Sequence, residues 1–176
     1  MKKFIAIAAV ALLGFSCSDD DNSTVLTTSV EGTWTLTSFE LNEAIDLNDD
    51  GTASTDMIAE SGCFSNSAIT FNDDNTATVS FEELDINVTP VEGTEDEYEY
   101  SVECLGSTAQ TTLYTVSGNT TSVIFEYEDG STETLDFTMS GNTLTVVVPA
   151  LSDLPIADDD NIAYSFVGAT LVFTQQ

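Results

Sequence analysis

From Glu31 to Gln176 the chain is written in short runs rich in Val, Ile, Thr, Phe and Tyr, broken by clusters of Asn, Asp and Gly. The runs return at intervals of about 8–12 residues, a spacing that suits strands joined by tight turns and leaves little room for helices. That punctuation dictates an all-β antiparallel meander. Candidate strands are 32–41, 67–72, 75–83, 85–90, 97–104, 109–117, 121–128, 132–139, 143–149 and 164–174, with turns at Asp73-Asp74-Asn75, Gly118-Asn119, Asp129-Gly130 and Gly141-Asn142. One short helix fits between them: Ser54 or Thr55 caps it, Asp56 lies in its first turn, Met57 and Ile58 are buried and Gly62 ends it. Residues 150–163 read as a long solvated loop that includes Asp158-Asp159-Asp160.

Side-chain alternation predicts the register of one hairpin. Val123, Phe125 and Tyr127 share a face, as do Leu135, Phe137 and Met139. A two-residue Asp-Gly loop would send these two sets to opposite faces, because a one-residue slip inverts every side chain. A longer turn with a bulge pairs Val123 with Leu135 and requires Gly130 at positive φ.

Charge removes whole classes of function. The chain has 31 Asp and Glu, no His, and two basic residues, Lys2 and Lys3. Nothing beyond them neutralises a phosphate, so binding of nucleic acid is excluded, as are a basic patch for anionic lipids, histidine bases, Schiff-base lysines and arginine clamps. Only carboxylate chemistry survives, and with so many acids a chance pair at glycosidase spacing carries no information. The chain is read as not an enzyme.

Lys2-Lys3 and the 12 apolar residues Phe4 to Phe15 form a charged n-region and an h-region, too short for the ~20 residues of a membrane span. Residues 1–16 therefore read as a signal peptide. Leu13-Gly14-Phe15-Ser16-Cys17 resembles the relaxed lipobox of Bacteroidetes-type lipoproteins, which implies cleavage before Cys17 and acylation of its thiol. Ser18-Asp19-Asp20-Asp21 is similar to the export tag that sends such lipoproteins to the outer face of the outer membrane. Residues 17–30 are then a lipidated acidic tether, too polar to fold, and 31–176 form one domain anchored by its lipid. Removal of the leader takes both lysines and leaves 31 acids without a base, a formal charge of −31. Cys63 and Cys104 remain, and outside the cytoplasm a single disulfide between them is expected.

Gly32-Thr33-Trp34 resembles the Gly-x-Trp signature of the lipocalins. The wider run through Asp46–Gly51, Ile69–Asn72 and Leu171–Thr174 is similar to the lipocalin-like domain of Bacteroidetes lipoproteins. The resemblance implies a barrel of about eight to ten strands that holds one small ligand; the alternative on strand pattern alone is a β-sandwich. The arginine that lipocalins stack over this tryptophan has no counterpart, so the barrel end near Trp34 closes differently. Inward positions are Trp34, Leu36, Val79, Phe81, Tyr100, Val102, Phe125, Leu135, Phe137, Val146 and Phe166. They suit a small apolar ligand or, equally, a filled core in a structural or interaction lipoprotein.

Asp46-Leu47-Asn48-Asp49-Asp50-Gly51-Thr52 matches the first half of a calcium loop. Asp46, Asn48 and Asp50 would present side-chain oxygens and Thr52 its carbonyl, with Asp56 as the nearest closing acid. The alternative is an Asx-rich turn that needs no metal.

Overall fold

The computed structural model describes residues 29–93, 98–126, 130–158 and 161–176. Residues 1–28 with Cys17, residues 94–97 and 127–129, Asp159-Asp160 and the side chain of Phe166 lie outside the described residues. The order is β1 (Gly32–Ile45), β2 (Ser54–Asp56), α1 (Met57–Ser61), β3 (Ala68–Phe71), β4 (Thr76–Pro90), β5 (Tyr98–Ser117), β6 (Thr120–Glu126), β7 (Thr132–Ser140), β8 (Thr143–Asp158) and β9 (Asn161–Gln175). All pairings are antiparallel. Because β1 pairs with β9 as well as β3, the sheet closes on itself as an eight-stranded barrel, with β2 as an extra strand on β1. Closure removes the free edges that a sandwich would keep.

The first strand shows how the chain bends into a wall. Trp34 and Leu36 are buried, and so are Phe39 and Leu41. A regular strand would point these pairs to opposite faces. The register against β9 shifts between Leu36 and Ser38, leaving Thr37 as the extra residue. A bulge of this kind turns the strand and returns Phe39 and Leu41 to the core. Thr37 Oγ1 donates to the Val172 carbonyl at 3.2 Å and so holds the bulge against β9.

Two long hairpins replace features expected to be separate. The runs 75–83 and 85–90 form one strand, β4, and 97–104 and 109–117 form one strand, β5. The break seen in the pattern is a bulge at Leu105, where the register passes from Glu83↔Gly106 to Leu84↔Cys104. Residues 150–158 and 161–163 are strand rather than loop: β8 and β9 stay paired as far as Asp158↔Asn161, with register shifts around Leu151, the first of which spans Pro149. Pro149, Pro155 and the acids disguise this segment because prolines and aspartates are depleted in strands. The β6/β7 register is as expected, Val123↔Leu135, with Gly130 at φ 80°.

Trp34 is fully buried, and its indole Nε1–H donates to the Val30 carbonyl at 2.6 Å. The lead-in to β1 thus satisfies the indole donor at the barrel end that carries the signature tryptophan. Gln175 Nε2 donates to the Glu31 carbonyl and Gln176 N to the Thr33 carbonyl, tying the C-terminus over the same end. At another point Phe39, Phe64 and Phe81 meet edge to face and tilted, with ring centroids 5.0–6.2 Å apart, arrangements that aromatic quadrupoles favour.

A ligand-sized cleft and an Asx-rich loop

The barrel wall parts between β5 and β6. From Tyr98 to Leu113, β5 pairs with β4; from Tyr114 to Ser117 it pairs with β6. Beyond Tyr114↔Val123 the ladder between the two strands ends: β6 continues paired with β7 alone as far as Glu126↔Thr132, while β5 runs in the long hairpin with β4. Thr112 Oγ1 donates to the Ile124 carbonyl across the opening. The Cys63–Cys104 disulfide, with Cα atoms 5.6 Å apart, fastens the far half of β5 to the segment after α1, as the cysteine count led us to expect.

The opening holds a cleft of about 530 Å³, lined by Val79, Gln110–Leu113, Ile124–Glu126 and Thr132. That volume falls within the ~300–1,000 Å³ of small-molecule sites. Val79 and Phe125 supply an apolar floor, Leu113 (58% exposed) and Ile124 (38% exposed) apolar lips, and Thr112, Gln110 and Thr132 polar atoms. Of the residues expected to face inward, Trp34, Leu36, Val79, Phe137 and Val146 are buried, and Phe81, Tyr100, Val102, Phe125 and Leu135 pack half-buried on the core. The partner switch at Leu113/Tyr114 was not foreseen; nothing in the candidate strand 109–117 marks it.

The loop between β1 and β2 gathers four of the five candidate metal ligands. Asp46 accepts from Asp50 N (3.1 Å, Oδ1) and Gly51 N (2.9 Å, Oδ2). Asn48 Oδ1 accepts from Asp50 N at 3.0 Å, and Asp50 Oδ1 from Thr52 N at 2.8 Å. These are Asx turns. Each ionised carboxylate oxygen that takes one N–H keeps further acceptor capacity, so the network and a cation do not compete for the same lone pair. Asp56 belongs to another network: it is the N-cap of α1, accepting from Ile58 N and Ala59 N at 3.0 and 3.1 Å. The cap is therefore Asp56, rather than Ser54 or Thr55; Ser54 Oγ instead accepts from Asp56 N. Gly62 ends the helix in the left-handed conformation, φ 68°, as its position implied. Glu60, which the sequence did not single out, is buried under the loop with Oε2 accepting from Leu47 N at 3.0 Å. Among the described residues no group of three or more His, Cys, Asp or Glu is arranged to hold a metal ion.

The model of the family described as lipocalin-like domain matches residues 30–146. This spans well over half of the chain and contains Trp34, the Asp46 loop, both disulfide cysteines and the cleft, so the chain belongs to that family. The family consists in general of binding proteins rather than enzymes. No curated protein and no solved structure matched the chain.

Proposed function

We propose that the protein is a lipid-anchored binding domain on the outer surface of the outer membrane, which holds one small apolar molecule at its lipocalin-like barrel. The observation that carries the binding part is the cleft between β5 and β6, of small-molecule size and floored by Val79 and Phe125. Membership of a family of binding proteins and the lack of any histidine, or of lysine or arginine after Lys3, support the same reading. Titration of the full chain with the uncharged fluorophore N-phenyl-1-naphthylamine tests it. A saturable one-to-one rise in emission, weakened by Phe125→Ala, is expected; a linear rise that never saturates would leave the other reading, a structural or interaction lipoprotein with a filled core.

The anchor rests on Lys2-Lys3, the apolar run and Cys17. Radiolabelled palmitate fed to the cells that make the protein is expected to label it, and Cys17→Ala to remove the label. Calcium binding to Asp46, Asn48, Asp50 and the Thr52 carbonyl is the remaining element. Its support is the alternating spacing of these oxygens and the −31 charge left once the leader is cut from a chain of 31 acids. Calcium takes about six to eight oxygens, so water would complete such a set. Millimolar calcium is expected to raise Tm more than sodium chloride of equal ionic strength, and Asp46→Ala with Asp50→Ala to abolish the difference.

A further inference from the structure

The cleft has a chemical bias that its volume alone does not reveal. Glu126 is exposed on its wall, at the end of β6, and no lining residue is basic. Around it lies a chain with no cationic side chain after Lys3, so no neighbouring base offsets the carboxylate. The lips are otherwise apolar, Leu113 and Ile124, and the floor is Phe125, an aromatic face of the kind that attracts cations. An apolar body with a positive head would place the body on Val79 and Phe125 and the head at Glu126. An anionic head would meet the carboxylate and the summed field of the acids at short range, where salt screens least.

We infer that the seam between β5 and β6 is a side entrance selective for apolar molecules that carry a positive charge, and that Glu126 sets this selectivity. The inference rests on the binding reading above and deepens it. The test is displacement of N-phenyl-1-naphthylamine from the full chain by three ligands with one ten-carbon tail: decyltrimethylammonium, decanol and decanoate, each below its micellar concentration. Decyltrimethylammonium is expected to bind on the order of tenfold more tightly than decanoate, with decanol between them. Glu126→Gln should remove most of that ratio while leaving decanol unchanged, and Glu126→Lys should invert it. Glu43→Gln, a change at an exposed acid on β1 outside the cleft lining, should leave the ratio nearly intact. Equal displacement by the cation and the anion, or equal effects of Glu43→Gln and Glu126→Gln, would overturn the inference while the binding reading stands. Failure of every ligand and of the fluorophore itself to bind saturably would overturn both.

Discussion

Tyr114 donates its phenolic hydrogen to the carbonyl of Asn72, 42 residues earlier, at 2.7 Å. Its backbone N–H donates to the Asn75 carbonyl, and its ring meets Phe71 edge-on at 4.9 Å. One side chain thus clamps the β3/β4 turn onto β5 at the residue where β5 changes partner.

This clamp predicts a limit of stability at high pH. Burial, and then the charges of Glu31, Asp74 and Asp73, raise the Tyr114 phenol above its ordinary value of 10.0. The folded chain holds a proton that the unfolded chain gives up, so the contribution is complete below about pH 10 and is lost as pH rises through the folded value. A spectrophotometric titration of the five tyrosines should show one that ionises last, together with unfolding, and Tyr114→Phe should remove that component. The substitution itself should cost about 1 kcal/mol for the lost hydrogen bond. In the same turn the Thr76 hydroxyl and then its N–H hold the Asp74 carboxyl below 3.8, a contribution present above the ordinary carboxylate range and lost as pH falls through the folded value.

The disulfide closes a separation of 41 residues. Chain entropy assigns such a loop about 4 kcal/mol, a large share of the ~5–15 kcal/mol of a small domain. Cys63→Ser with Cys104→Ser should lower the denaturant midpoint accordingly, measured by urea unfolding. Hydrogen exchange should rise first in β5 around Cys104. A midpoint unmoved by the double substitution would mean that the hairpin docks without its covalent tie.

Trp34 is the single tryptophan, fully buried and hydrogen-bonded to Val30. Emission of the native protein should lie well to the blue of free indole and shift red in one step on unfolding. Trp34→Ala should cost about 3–5 kcal/mol through the cavity it leaves. Trp34→Phe should cost less and leave the Val30 carbonyl without its donor.

Where a strand is paired on one side only, amides open more easily. The peptide covering Ile124–Glu126, which pairs with β7 alone, should exchange faster with deuterium than the one covering Thr120–Val123, which pairs with both β5 and β7. Saturating N-phenyl-1-naphthylamine should slow the first and leave the second unchanged. Uniform slow exchange along β6 would contradict a parted seam.

Most of the strand positions, the α1 end at Gly62, the Gly130 turn and the Cys63–Cys104 bridge were legible in the sequence because each depends on neighbours a few residues apart or, for the bridge, on having only one pairing open. The continuity of β4 and of β5, the bulges at Thr37 and Leu105 and the pairing of Leu151 to Asp158 with β9 were not, because each is decided by the strand a residue lies against; the cap at Asp56 is local, but Ser54, Thr55 and Asp56 are all residue types that cap a helix. The candidate site divides in the same way. Asp46, Asn48 and Asp50 announce an Asx-rich loop by spacing alone, whereas Glu60 under Leu47 becomes visible only when α1 folds back on it.

The sequence by itself determined an all-β, cation-poor domain, since composition and period-two alternation act locally. Only the tertiary structure decided that the sheet closes through β1 and β9 and that its wall opens at Tyr114. Both outcomes depend on long-range strand pairing, which no local pattern encodes. The β5–β6 ladder ends at Tyr114↔Val123, and the Val79–Phe125 cleft lies just beyond it.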